Sequence, residues 1–310
     1  SAGPYLAPGR QPQPLATAPP EAGASAPGSQ DHRTAMMNTV PAKVVRLGLL
    51  TLWLAGMAAF HARADTRVDG ATLAQRIYDR PDGADVATRF TMTLTRAGAA
   101  PRQRLAYSFR ADAPDGGMQT LLRFADPADI RDTGLLVRGK ADGEADQWLY
   151  LPALDQVRRI AAERRGGRFV GSDIYYEDLE DRRPERDRHQ LLGQETVHGQ
   201  PTQILQSTPI DASKSVYSRR VAWINEPTLL PLRIDFYQSG TQPAKRLTVH
   251  KVEQIQGYWT VTDSTMTDLA TGSQTRITID QVSYDQGLPA SLFTTQTLAD
   301  PATDNALRPK

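Results

Sequence analysis

Time after time beyond Val86, apolar side chains recur at every second position, and that period confines most of the chain to β-structure. Val86, Thr88, Phe90, Met92 and Leu94 alternate with Ala87, Arg89, Thr91 and Thr93. Leu105, Tyr107 and Phe109 alternate with Ala106, Ser108 and Arg110, and Met118, Thr120, Leu122 and Phe124 with Gln119, Leu121, Arg123 and Ala125. Each run reads as a strand with one dry face and one wet face. The links Ala97–Pro101 and Pro114-Asp115-Gly116-Gly117 are turn chemistry, too short for crossover helices, so the pairing is expected to be antiparallel.

The pattern resumes at Gln190–His198, Thr202–Thr208, Ser218–Asn225, Leu232–Gln238, Arg246–Gln254, Tyr258–Thr267 and Gln274–Tyr284. Gln256-Gly257 and Thr271-Gly272 mark hairpin turns. With Gly134–Val137, a strand around Trp148 and Tyr150, and another over Gln156–Ala161, the count is about a dozen strands. A sheet that large with one apolar face must curl or be covered. The expected fold is mainly β, a large curved antiparallel sheet forming an unclosed β-barrel with a few short helices over its concave side; a two-sheet sandwich satisfies the same pattern. The candidate covers are an amphipathic helix from Asp69 to Tyr78, the segment 171–180 and the tail Ala290-Ser291-Leu292-Phe293. Asp69 is a good N-cap, and Val68 with Leu73 has the spacing of a hydrophobic staple.

The residues before this pattern have another character. Residues 1–35 are rich in Pro, Ala and Gly and read as a disordered extension. Residues 36–64 read as a signal peptide: Lys43 and Arg46 precede the apolar run Leu47–Phe60, and His61-Ala62-Arg63-Ala64 offers a cleavage site after Ala64. That run is 14 residues long, short of the roughly 20 that a bilayer span needs. A single mature domain over 65–310, in the periplasm, is the expectation. The chain has no cysteine, which removes both disulfides and the attachment point of a lipoprotein anchor. Beyond Ala64, 31 Lys and Arg face 33 Asp and Glu, a balance that argues against nucleic acid as a partner.

Catalytic and metal chemistry find little to stand on. His189, His198 and His250 show no metal-ligand spacing, and neither a nucleophile elbow nor a phosphate loop occurs. No cofactor is expected. Asp173 and Glu177 would share one face of a helix, as an acid–base pair or cation site would require. The simpler reading is structural: Ser172 or Asp173 caps a short helix, and the carboxylates pair with Arg158, Arg159, Arg164, Arg165 or Arg168. The mixed-sign run Arg182–Arg188 reads as a solvated connector. A non-enzyme is expected.

Several blocks carry a family likeness. Asp126-Pro127 with Arg131-Asp132-Thr133-Gly134-Leu135-Leu136, then Asp146-Gln147-Trp148-Leu149-Tyr150-Leu151-Pro152-Ala153-Leu154, Val157-Arg158-Arg159-Ile160, and Gly171-Ser172-Asp173 with Tyr175-Tyr176-Glu177-Asp178-Leu179 resemble the outer-membrane lipoprotein-sorting proteins, the LolA-like group. The resemblance implies an unclosed barrel lidded by helices, with an apolar cavity for the acyl chains of a lipid or lipoprotein. It also implies a monomeric periplasmic carrier, with an inner-membrane transporter of the resistance-nodulation-division type and an outer-membrane acceptor as partners. The residues expected to line the cavity are Phe90, Met92, Leu94, Leu105, Tyr107, Phe109, Leu122, Phe124, Ile234 and Phe236. An adaptor module of such a transporter, docking through an exposed edge strand, is the second expectation.

Overall fold

A computed structural model describes residues 69–113 and 116–309. The extension, the signal peptide, Val68 of the staple and the turn residues Pro114 and Asp115 lie outside the described residues. Thirteen strands form one antiparallel sheet: β1 (Asp85–Thr95), β2 (Arg102–Asp112), β3 (Met118–Asp126), β4 (Gly134–Gly139), β5 (Ala145–Leu151), β6 (Gln156–Arg159), β7 (Asp187–Val197), β8 (Gln200–Pro209), β9 (Arg219–Asn225), β10 (Leu230–Tyr237), β11 (Lys245–Ile255), β12 (Tyr258–Asp268) and β13 (Gln274–Tyr284). Their order across the sheet is β6-β5-β4-β3-β2-β1-β13-β12-β11-β10-β9-β8-β7. It is two meanders, β1–β6 and β7–β13, joined where β1 pairs with β13 from Val86↔Tyr284 to Thr95↔Gln274. The edges β6 and β7 stay unpaired with each other, so the barrel is not closed.

Helix α1 (Gly70–Tyr78) begins where the Asp69 carboxylate accepts from Thr72 N at 2.7 Å, the expected N-cap. Helix α2 (Thr295–Ala299) is capped by Thr294, whose Oγ1 accepts from Thr297 N at 3.1 Å. The segment 171–180 does not continue as an α-helix. It holds one 3-10 turn, Tyr176–Leu179, opened by Tyr175 N donating to Asp178 Oδ2 at 2.7 Å. Its paired polar side chains bond to the sheet instead of propagating a helix.

The expectation of a single dry face fails in the first meander. In β1–β5 both faces are buried. The inner face carries Phe90, Met92, Leu94, Ala106, Leu122, Phe124, Leu135 and Val137, packed against Phe169. The outer face carries Ala87, Phe109, Ala111, Leu121, Leu136 and Tyr150, packed against Leu292, Phe293 and Leu298. The tail therefore covers the face opposite to the one covered by segment 165–181. Arg123, which sequence pattern puts on a wet face, is completely buried under that tail. It donates from Nε to Asp304 Oδ1 at 2.7 Å, and its other nitrogens reach the carbonyls of Asp132, Leu298 and Thr297. The tail thus closes over β3 through a dry ion pair with its donors occupied.

Candidate functional site

The connector between the two edge strands, residues 160–186, lies against the inner face and is pinned there by buried polar contacts. Phe169 stacks on Phe124 with ring centroids 5.7 Å apart and meets Tyr176 edge-on. Asp173 accepts from Ser273 Oγ at 2.6 Å and Thr275 Oγ1 at 2.9 Å and pairs with Arg168. Glu177 accepts from Ser215 Oγ at 2.5 Å and from Val216 N at 2.7 Å. Asp178 accepts from Lys245 Nζ at 2.6 Å and from Tyr217 Oη at 2.6 Å. Burial pushes the Lys245 ammonium down and the Tyr217 phenol up, while Asp178 draws the ammonium partly back. Lys245 also sits 3.5 Å from the centroid of the Tyr175 ring.

The structural reading of Asp173 and Glu177 accounts for their contacts, with a different set of cations. Of the five nearby arginines, Arg168 reaches Asp173, whereas Arg165 turns to Glu144 and Glu180. The cations near Glu177 are Arg182 and Arg220, at 3.9 and 3.7 Å. Arg182 and Arg186 are not solvated connector residues: their side chains are 11% and 10% exposed and pair with Asp187 and Glu144. Short range in sequence misleads here because the chain returns to these carboxylates from β9, at Arg220, and from β13, at Thr275.

The ten expected cavity residues do not share one space. Phe90, Met92, Leu94, Leu122 and Phe124 are together on the inner face, filled in by Phe169. Tyr107 and Phe109 are on the outer face against the tail, and Leu105 follows them in alternation, half-buried. Phe236 packs on Tyr217 with centroids 5.0 Å apart. Leu94 also edges a small cleft of about 110 Å³ with Arg102 and Arg104, and Ile234 lines a wider one.

That cleft, about 400 Å³, lies between α1 and the inner face of the second meander. Its apolar wall is built by strand alternation: Leu205 of β8 lies opposite Ala222 of β9, which lies opposite Ile234 of β10. Ile224 and Leu230 continue the wall. Across from it, α1 presents Ala74 and Ile77, with Leu73 fully buried against Leu205 and Ile224. The helix can lie this close because its first residue is glycine. A Cβ on Gly70 would fall 2.8 Å from Gln190 N and from the His189 carbonyl carbon of β7, both backbone atoms.

The other end of the cleft is charged. Arg80, Arg110, Arg182 and Arg220 line it with Asp82, Asp181, Asp187 and His189. Arg182 and Arg220 converge on Asp187 at 2.7 to 3.1 Å. Burial raises the Asp187 carboxyl, but these two guanidiniums outweigh it and hold the group below its usual range. Arg110 pairs with Asp82, and Arg80 stands 3.6 Å from the same carboxylate. Burial pushes Asp181 up, and Tyr78, which donates to it at 3.0 Å, is pushed up to about 12 by burial and by that carboxylate. His189 bridges Ser207 Oγ and the Pro184 carbonyl at 2.9 and 2.8 Å. Sequence reasoning missed every one of these arginines. Arg110 stood on an alternating wet face, Arg182 in a mixed-sign run, and Arg80 and Arg220 in no motif.

A family model described as an uncharacterized protein matches residues 116–300. No curated protein matches the chain. Among solved structures, an outer membrane lipoprotein-sorting protein domain from Vibrio parahaemolyticus is similar at 31% identity, covering 74% of this chain and 98% of its own, with a TM-score of 0.71. A DUF1329 family protein from Desulfovibrio piger is 32% identical over 74% of this chain and 97% of its own, TM-score 0.70. A LolA superfamily protein from Nitrosomonas europaea shares the fold at 18% identity over 74% of this chain and 99% of its own, TM-score 0.60.

Proposed function

The chain belongs to the LolA-like family of outer membrane lipoprotein-sorting proteins, and from that premise we propose that it is a periplasmic carrier that shields acyl chains on their way toward the outer membrane. The observation that carries this reading is the uncovered apolar wall under α1, in a sheet that is otherwise packed on its inner face. An acyl chain in water costs about 0.8 kcal/mol per CH₂, on the order of 10 kcal/mol for a long chain. A wall of Leu205, Ala222, Ile224 and Ile234 under Ile77 replaces that exposure with burial. In this reading the chain is exported by the segment 36–64, the mature domain is 65–310, and no bond is made or broken. The inner-face cluster of Phe90, Met92, Leu94, Leu122 and Phe124 joins the cavity when segment 165–181 lifts and Phe169 withdraws.

Native mass spectrometry of the protein purified from a bacterial periplasm, followed by lipid extraction, tests the reading. An adduct of lipid mass is expected. A clean apo mass, together with no uptake of a fluorescent fatty acid, would overturn it. A second reading is favoured by one feature, the sheet edge β7, which is mostly exposed and carries Leu192 in solvent. As an adaptor of an inner-membrane transporter the protein would dock through that edge, and complex formation would survive blocking of the cleft.

A further inference from the structure

Six buried side-chain nitrogen or oxygen atoms among the described residues have no hydrogen-bond partner. Three of the six are guanidinium nitrogens of cleft residues: Arg80 Nη1, Arg110 Nε and Arg182 Nη1. Buried donors left without an acceptor each cost about 1–3 kcal/mol, so native proteins keep few of them and rarely gather them. Their gathering here has a local cause. Arg110 spends its two terminal nitrogens on Asp82 and the carbonyls of Asp82 and Gly83, and Arg182 spends Nε and Nη2 on Asp187. Arg80 Nη1 and Arg182 Nη1 meet a carboxylate only at ion-pair range, Asp82 at 3.6 Å and Glu177 at 3.9 Å, too far for a hydrogen bond.

Four guanidiniums line the cleft with Asp82, Asp181 and Asp187, the last shared by two arginines, and Glu177 stands 3.9 and 3.7 Å from Arg182 and Arg220. Arg80 and Arg110 also line a second cavity of about 330 Å³ beyond Tyr78 and Met118, so they stand at the junction of the two spaces. The apolar wall begins on one side of that junction. A volume near 400 Å³ falls in the range of roughly 300–1,000 Å³ typical of small-molecule sites. It suits one hydrocarbon chain and not a bundle of three.

We propose that the cleft takes a single-chain amphiphile with an anionic headgroup, its tail on the Leu205–Ala222–Ile234 wall and its carboxylate or phosphate at Arg80, Arg110 and Arg182. The inference rests on the carrier reading and narrows it. Planar guanidiniums with free N–H groups match the two oxygens of a carboxylate or phosphate, which supply the missing acceptors. The tail supplies the apolar burial that holds the headgroup at that end.

The test uses the full chain, stripped of bound lipid, titrated calorimetrically with four probes: palmitate, methyl palmitate, acetate and inorganic phosphate. Palmitate is expected to bind at least about tenfold more tightly than its uncharged ester, and neither small anion is expected to register. Arg80→Gln is expected to erase most of the difference between acid and ester. That guanidinium touches Asp82 only at 3.6 Å, so its loss leaves the fold intact, to be verified by an unchanged urea midpoint. Arg110→Lys, which keeps the charge but loses the fork, should give an intermediate ratio. Equal binding of palmitate and its ester would overturn the headgroup assignment, and acetate or phosphate binding as tightly as palmitate would reduce the site to an anion pocket. If a two- or three-chain lipid co-purifies and palmitate does not bind, this inference falls while the carrier reading stands. If neither occurs, both fall.

Discussion

The two meanders use one sheet in opposite ways. In β1–β5 both faces are dry, one under Phe169 and its neighbours, the other under the C-terminal tail. In β7–β13 the outer face is ionic: Asp235 holds Arg246 at 2.6 and 2.9 Å and also pairs with Arg233, which lies 4.0 Å over the Trp223 ring. Its inner face is packed near Tyr217 and Phe236 but open beneath α1. The difference teaches where a sheet can hold cargo. A strand packed by apolar side chains on both sides is committed to the fold, whereas β10 carries ion pairs on its back and leaves part of its front unfilled.

The contrast breaks most sharply at Arg123. Replacing it with Leu leaves buried Asp304 with Arg308 alone and the carbonyls of Thr297 and Leu298 without their donor, and should cost about 3 kcal/mol in urea unfolding. A loss below about 1 kcal/mol would mean that the tail is no part of the core. Next, Leu121→Ala in the doubly buried meander should cost about 3 kcal/mol, and Ile234→Ala, facing the cleft, only about 1 kcal/mol. Equal costs would erase the distinction. Gly70→Ala forces a methyl against the backbone of β7 and should cost about 2 kcal/mol while shifting α1 over the cleft. Palmitate affinity should fall with it, and an unchanged affinity would detach α1 from the site. The smallest effect concerns the connector. Burial pushes Glu180 up to about 7, so the fold favours its neutral form. Its contribution is present below the unfolded value near 4.5 and is lost as pH rises through 7. Stability should thus fall between pH 5 and pH 8, and Glu180→Gln should flatten that fall and gain on the order of 1 kcal/mol at pH 8. Parallel pH profiles for the two proteins would refute the assignment.

The strands were legible because period two is a local property, and the boundaries at Tyr258 and Gln274–Tyr284 match the pattern closely. What sequence could not show is which face is dry. Alternation assigns two faces, but Arg123 and Leu121 share the outer one, and only the tail, some 175 residues later, decides that it is buried. The cleft was hidden for a similar reason. Its wall comes from three strands that read as ordinary core, and its arginines come from four distant segments. Lys245 falls just before the expected strand Arg246–Gln254, yet it is among the most buried side chains, because its partners Asp178 and Tyr217 arrive from elsewhere.

The single seam between the meanders sets the order in which the molecule can be made. Every other neighbouring pair in the sheet is a short hairpin, except that β1 must wait for β13, nearly two hundred positions later. Until that last strand emerges, a nascent chain consists of separate ribbons with the oily side of β1 unmatched. Loop closure over such a span is slow. A ribosome or translocation channel delivering this protein from its first residue therefore delivers it unfinished until almost the end. A chain cut short before Gln274 has lost the stitch that makes two ribbons one surface.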